Sequence, residues 1–465
     1  VDTDIPDPVR DGYGLNKMLI DRAIDDGIDT IITCDNGIAA SEEIAYGKAN
    51  GLTVIVTDHH EVPYVEMNGE REYLLPQADA VVDPHRPDCD YPFKGLCGAA
   101  VAYKLVEALY NVMQKDPDDM DYLMENVAIA TVGDVMDLVG ENRIFVKQGL
   151  DMLKRTKNQG LRALIECTGK DVERLNTYHI GFVLGPCINA SGRLDTAKRA
   201  LELLNVRARR DAVMLAEDLK ALNDSRKEMT ERGVAEAVQM IETTSLKDDR
   251  VLVVYLPDCH ESIAGIIAGR IKERYYRPVF VLTKAEEGVK GSGRSIEAYD
   301  MFAQMCKCRA LFTKFGGHRL AAGLSLEEGN VQRFRETINA LCELTEQDMQ
   351  MKVWIDMQLP FPYITEEMIK ELELLEPFGK GNPKPLFAEK NLRVLSPRII
   401  GKNRNVLKCR LEDADGNQME AVYFGDVEAC LKKMEQKPVM SFTYYPSVNE
   451  YMGRRSVQVT IVNYQ

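Results

Sequence analysis

Along the first part of the chain, amphipathic and uniformly apolar segments alternate. Residues 17–26 place apolar side chains at helical spacing. Asp29-Thr-Ile-Ile-Thr-Cys34 and Leu52-Thr-Val-Ile-Val-Thr57 are short β-branched runs, and residues 78–82 repeat that pattern. Ser41 opens a second helix with Glu42 and Glu43 in its first turn, where acidic groups complement the backbone dipole. Strand–helix–strand units of this length predict a parallel sheet.

The pattern turns helical over 98–108 and 122–131 and stays so to about residue 242. Within 207–242, Leu215, Leu219, Leu222, Met229, Val234, Val238 and Ile241 form an apolar stripe opposite a charged face. A second α/β unit follows, with strands over 251–256 and 278–282 flanking a helix over 261–275. From about residue 351 the chain is rich in alternating segments: 393–400, 405–411, 418–424, 439–445 and 455–462. Five short strands with polar turns predict a small barrel of OB type. The expected division is an α/β domain over 1–155, a helical connector over 156–245, a second α/β domain over 246–345 and the barrel over 350–465.

Composition refines this picture. The chain has 465 residues, 45% of them apolar and 28% charged, which suits a globular protein of several domains. No apolar run approaches the roughly 18 residues of a membrane span. The eleven cysteines follow no pairing pattern, as expected in a reducing cytoplasm, and Cys306-Lys307-Cys308 lacks the second pair that zinc requires. The net charge of −15 argues against coating nucleic acid by bulk charge but leaves room for a local basic face. Arg393, Arg398, Lys402, Arg404, Lys408 and Arg410 provide one, with no acid among them. The chain opens on Val1 and runs at once into Asp2-Thr3-Asp4, which reads as a truncated start.

Candidate chemistry concentrates at strand ends. Thr57-Asp58-His59-His60 follows one apolar run and Cys34-Asp35-Asn36-Gly37 the preceding one. In a parallel sheet both emerge at the carboxyl edge, where open α/β folds form their ligand crevice. There a carboxylate and an imidazole can share a divalent ion. Asp134 follows an apolar helical run and could project into the same crevice. In the second half, Gly291-Ser292-Gly293-Arg294-Ser295 combines glycines that permit close backbone approach with an arginine suited to phosphate. Gly316-Gly317-His318 before Ala321-Ala322-Gly323, and Asn189-Ala190-Ser191-Gly192-Arg193, are built alike. No Gly-x-x-x-x-Gly-Lys-Ser/Thr run occurs, which excludes a P-loop motor.

Thr57 to His60 resembles the motif of the DHH phosphoesterase superfamily, and Gly316 to Gly323 that of the DHH-associated domain. Gly12-Tyr13-Gly14-Leu15, Asn189 to Arg193, Pro377-Phe378-Gly379-Lys380-Gly381-Asn382-Pro383 and the barrel-like end resemble the RecJ branch, in the same order over nearly the whole chain. The resemblance implies a parallel-sheet DHH domain and a second α/β domain joined by long helices, followed by an OB-like β-barrel. It also implies a metal-dependent exonuclease that hydrolyses single-stranded DNA from the 5′ end in repair and recombination.

By that resemblance Asp35, His59 and Asp134 are ligands of two divalent ions, Mn²⁺ or Mg²⁺. Asp58 orients the site and His60 meets the scissile phosphate. Arg193, Ser292, Arg294, Gly316, Gly317 and His318 bind DNA phosphates. Tyr13 lies near the DNA entrance, with Arg10 in place of an arginine the family carries further upstream, where this chain has Pro8. The implied partners are single-stranded DNA, a single-strand-binding protein and a RecQ-like helicase, for a monomer without a membrane. The family's first acidic motif, which belongs upstream of Gly12, is not matched by Asp2 or Asp4, so the chain alone is expected to be inactive. Two alternatives stay open. One is another DHH phosphodiesterase acting on oligonucleotides, cyclic dinucleotides or pyrophosphate; the other is a non-catalytic DNA-binding scaffold.

Overall fold

The computed structural model describes residues 1–6, 14–67, 69–194, 197–401, 403–451 and 453–465, without the side chains of residues 193, 194 and 451. Tyr13 and Arg10 lie outside the described residues, as does the side chain of Arg193. The chain divides into two compact units, Val1–Pro87 with Met152–Lys352 and Asp88–Asp151 with Val353–Gln465.

In the first unit, strands Thr30–Ile32, Thr53–Thr57 and Ala80–Val82 form a parallel sheet with Thr53–Thr57 at its centre. Thr30 pairs with Thr53, and Ile55 with Ala80. Helices Lys17–Asp25 and Ser41–Ala49 bury Ile20 and Ile44 against Leu52, Val54 and Val56, so the central strand is consumed in this core, while Thr30–Ile32 and Ala80–Val82 on either side of it stay largely exposed. An exposed hairpin, Tyr64–Met67 with Glu70–Tyr73, interrupts the strand–helix alternation.

The long segment expected over 207–242 is one helix, Arg209–Thr243. Its buried line differs from the expected stripe: it runs through Ala212, Ala216, Leu219, Asn223, Thr230, Gly233, Ala237 and Ile241. Leu215, Leu222, Val234 and Val238 are only half-buried beside it. The reason is close packing of helices, which needs small residues at the crossing. A Cβ on Gly233 would stand 2.5 Å from Ile267 Cδ1 of the helix Glu261–Tyr275.

That helix lies against a five-stranded sheet ordered Leu252–Tyr255, Val279–Lys284, Val289–Arg294, Ala321–Leu326 and Lys314–His318. The first two strands are parallel and the rest antiparallel.

In the second unit, helices Gly98–Val112 and Met124–Gly133 carry the expected helical pattern. Strands Phe387–Ile400, Val406–Glu412, Gln418–Tyr423, Arg454–Tyr464 and Val439–Tyr451 close into a barrel, since the first also pairs with the last. The helix Val427–Gln436 was not expected from the alternation; its Val427, Cys430 and Met434 join the barrel core. All eleven cysteines are free thiols. Among the described residues no helix is long and apolar enough to cross a membrane.

Candidate metal centre and phosphate-binding face

The parallel sheet ends in two loops that its ladder holds side by side. Thr33 N–H donates to Ile55 O (2.9 Å) and Asp35 N–H to Thr57 O (3.0 Å), so the strand pairing continues past the strand ends to Asp35. Thr57 Oγ1 adds a bond to Thr33 O (2.7 Å) between the same two strands. Asp35 has φ +64°, a left-handed conformation that aspartate tolerates better than most residues. Gly37 follows at φ +114°, where a Cβ would stand 2.9 Å from Thr33 Oγ1.

These loops bring Asp35 Oδ1 to 3.0 Å from His59 Nε2. Asp35, His59 and His60 each offer a ligand atom within 4.8 Å of the others. Asp35 and His60 are exposed at 57% and 60% of their side chains while His59 is 10% exposed, so the group opens to solvent on one side. Two ligands at about 2.1 Å from one cation, at right angles, stand about 3.0 Å apart. The Asp35–His59 pair therefore fits a shared divalent ion.

Asp58 is the buried hub beneath them. Its Oδ1 accepts from His59 N–H (2.7 Å) and His60 N–H (3.3 Å), and its Oδ2 from Ile38 N–H (3.0 Å). His60 Nδ1 lies 2.7 Å from the same Oδ1. Burial pushes this carboxyl up, but the bonds from Ile38, His60 and His59 outweigh it and hold it below the usual aspartate range. An ionised carboxylate only accepts, so His60 carries its proton on Nδ1 and turns Nε2 outward.

A third loop, after Ala80–Val82, was missed by the sequence reading. Asp58 N–H donates to Val82 O (3.1 Å), joining the strands. His85 Nδ1–H donates to the carbonyl of His59 (2.7 Å), and Asp83 Oδ1 accepts from His85 N–H (2.7 Å). Asp83 is fully buried, and its Oδ2 has no hydrogen-bond partner among the described residues. Burial raises its carboxyl; His85 N–H offsets this in part, and the Asp58 charge raises it again. Nothing in the run Asp83-Pro84-His85 announces this backbone contact.

Asp134 belongs to the second unit. It caps the C-terminus of Met124–Gly133, with its N–H on Ala130 O at 2.8 Å.

In the five-stranded sheet Ser292, Arg294, Gly316 and His318 share one face, while Gly317, also expected to bind phosphate, takes the alternate position on the other. His318 pairs with Ala321 and Ala321 with Arg294; one row along, Gly316 pairs with Gly323 and Gly323 with Ser292. Gly316 and Gly323 have open space where a Cβ would be. Gly291 and Gly293 do not serve ligand approach, as the sequence reading had expected. A Cβ on Gly291 would meet Leu282 at 2.3 Å, and one on Gly293 would meet Met301 at 2.4 Å, so both are required by the core beneath. Arg294 Nη1 donates to Gly293 O (2.8 Å) and to Ser292 Oγ (3.4 Å). Gly265, also missed, makes room for them: a Cβ there would lie 2.8 Å from Ser292 Oγ and 3.0 Å from Arg294 Nη2.

On the barrel, acids on adjacent strands answer the basic run. Arg393 pairs with Glu412 (3.6 Å), and Lys408 and Arg410 both reach Glu420 (3.1 and 3.0 Å). Arg398 and Arg404 form no ion pair among the described residues. Tyr444 is fully buried and donates to Leu359 O, Phe424 is exposed, and Lys384 lies 5.2 Å over the Tyr445 ring.

Three family models match the chain. They are the DHH family N-terminal domain over 1–131, the DHHA1 domain over 248–344 and the RecJ OB domain over 355–463. The single-stranded-DNA-specific exonuclease RecJ of Bacillus subtilis is 36% identical, over 99% of this chain and 57% of its own length. That of Dickeya dadantii is 35% identical, over 98% of this chain and 81% of its own length. Among solved structures, RecJ from Thermus thermophilus in complex with Mn²⁺ matches with a TM-score of 0.78 and 28% identity. That match covers 96% of this chain and 63% of the other. The chain thus spans somewhat more than half the length of the first and third of these relatives.

Proposed function

The chain belongs to the RecJ family, and from that membership we propose that it carries the metal site and strand-binding surfaces of a nuclease that hydrolyses single-stranded DNA from the 5′ end. The observation that carries this reading is the Asp35–His59 pair, 3.0 Å apart beside His60 at the carboxyl edge of a parallel sheet. Asp35, His59 and Asp134 hold divalent cations, Mn²⁺ or Mg²⁺. A bound ion supplies Lewis acidity toward phosphate oxygens and eases deprotonation of water. Mixed imidazole and carboxylate donors suit Mn²⁺.

The chain's own side chains do the rest. Asp58 keeps the proton of His60 on Nδ1, which leaves Nε2 to meet the scissile phosphate. The face bearing Ser292, Arg294 and His318, with the backbone at Gly316 and Gly317, receives phosphates of the strand, and Arg193 joins it. Arg10 and Tyr13 act at the strand's entrance. The RecJ-type barrel supports a long single strand rather than a dinucleotide as substrate, since a dinucleotide is too short to need a second binding domain. Family membership is the support for a repair and recombination role beside a single-strand-binding protein and a RecQ-like helicase.

The test joins the family's first acidic motif to the chain upstream of Gly12 and supplies Mn²⁺ with labelled single strands, duplexes and dinucleotides. We expect metal-dependent release of mononucleotides from single strands, lost on chelation and in His59→Ala. Cleavage by His59→Ala at the normal rate, or a preference for dinucleotides, contradicts the proposal.

A further inference from the structure

The segment Pro377-Phe-Gly-Lys-Gly-Asn-Pro383 takes no part in the chemistry above, yet its own hydrogen bonds close it. Asn382 Nδ2 donates to Leu375 O and Pro377 O, both at 2.9 Å. Gly379 and Asn382 exchange two backbone hydrogen bonds, 2.9 and 3.2 Å. What the closed loop grips is the turn after Asp134. Leu138 N–H donates to Lys380 O (2.7 Å), and Lys380 Nζ stands 3.3 Å from Asp137 Oδ1. The approach is too close for side chains: a Cβ on Gly381, which has φ +73°, would lie 2.9 Å from Asp137 Cβ. One on Gly379 would lie 2.6 Å from Leu138 Cδ1. On the far side of the turn, Arg143 donates to the carbonyls of Leu375, Leu374 and Glu376 at 3.0, 3.2 and 2.8 Å. Asn142 Nδ2 donates to Asp137 O at 3.1 Å.

The turn so gripped is strained. Val135 has φ +56°. Its N–H reaches Val132 O (3.2 Å) and Met136 N–H reaches Thr131 O (3.0 Å), a left-handed helix end with Asp134 as its C-cap. That position favours glycine, and a β-branched residue there crowds its own backbone. Val135 is 60% exposed, so burial of its side chain does little to offset the strain. Such a conformation persists only where its surroundings hold it.

We propose that the loop 377–383 is a latch that holds the strained turn 134–139 in place and so fixes the direction in which the Asp134 carboxylate points. Lys380, Gly381 and Asn382 are positioning residues. The inference rests on the proposed role of Asp134 as a ligand. It couples metal affinity to a loop that lies only a few residues before the first barrel strand.

The test measures Mn²⁺ affinity by calorimetry and by the electron paramagnetic resonance of free Mn²⁺, which need no turnover. Gly381→Ala is expected to weaken Mn²⁺ binding about tenfold, as loss of an outer-shell support does, and Lys380→Ala about threefold. Hydrogen exchange at the Leu138 amide should rise in both. Adding Val135→Gly, which relieves the strain, should restore most of the affinity lost in either variant. If Gly381→Ala does not fold, Lys380→Ala with and without Val135→Gly carries the test alone. Unchanged affinity in the latch variants, while Asp134→Asn binds Mn²⁺ weakly, overturns the latch and leaves the metal site standing. A loss that Val135→Gly does not repair overturns it too, because general destabilisation would then explain the loss. Unchanged affinity in Asp134→Asn overturns the ligand role of Asp134 and the purpose of the latch with it.

Discussion

The two sheets of the first unit present polar groups in opposite ways. The parallel sheet spends its central strand on the core and places Asp35, His59 and His60 in loops just beyond the strand ends. The mixed sheet carries Ser292, Arg294 and His318 within the strands, on a face kept low by Gly316, Gly323 and Ala321. Loop residues converge only if something fixes the loops, and here a buried carboxylate, Asp58, accepts four hydrogen bonds to do so. Residues within strands are aligned by the ladder itself and need only cleared space. The first arrangement suits a small ion with strict demands on ligand position. The second suits a chain of phosphates that tolerates variation.

The comparison can be broken at its most sensitive point first. His59→Ala should lower Mn²⁺ affinity by more than the roughly 10–100-fold that loss of an outer-shell partner costs, while far-ultraviolet circular dichroism stays unchanged. Asp58→Asn comes next. It keeps the shape but weakens the bonds that hold both imidazoles, and should cost about 10–100-fold in Mn²⁺ affinity. If Asp58→Asn binds Mn²⁺ normally, the buried hub is not what fixes the loops.

On the other sheet, Arg294→Ala should weaken single-strand binding by about tenfold, the value of one charge-assisted hydrogen bond, with Mn²⁺ affinity unmoved. Gly265→Ala should move strand binding the same way by a few-fold through displacement of Ser292 and Arg294. Parallel losses of metal and strand binding in either variant would dissolve the distinction between the two sheets.

The smallest effect concerns the barrel, where Glu420 sits between Lys408 and Arg410. Burial pushes its carboxyl up, and the two cations more than offset this, so it is held below its ordinary 4.5. A carboxyl depressed in the folded state contributes stability that is present above its unfolded pKa and is lost as pH falls through the folded value. Thermal melts should therefore show a modest drop below pH 4.5 that Glu420→Gln abolishes. At neutral pH the same substitution frees two cations and should strengthen strand binding slightly, with a steeper salt dependence.

Much of this was legible in the sequence because local patterns dictate it. The β-branched runs before Asp35 and Asp58 read as strands, and the residue order then places both loops at one sheet edge; only Thr53–Thr57 is buried, whereas Thr30–Ile32 leaves Ile32 60% exposed. The five alternating segments closed into the expected barrel. What stayed hidden depends on neighbours distant in sequence. The basic run looked free of acids because Glu412 and Glu420 lie on adjacent strands. The buried line of Arg209–Thr243 goes through alanines and a glycine because helix packing selects small residues, whereas hydrophobicity singles out the leucines. His85 acts through a backbone carbonyl, which no residue pattern encodes. Gly291 and Gly293 serve the core on the side away from Ser292 and Arg294, and only the strand register reveals which side that is.

The central claim is that Asp35 and His59 share a divalent cation, and diffraction from Mn²⁺-soaked crystals recorded at the manganese absorption edge tests it most directly. An anomalous peak is expected about 2.1 Å from both Asp35 Oδ1 and His59 Nε2, absent in His59→Ala crystals. A map with no peak there, and the carboxylate and imidazole still joined directly at 3.0 Å, would contradict it.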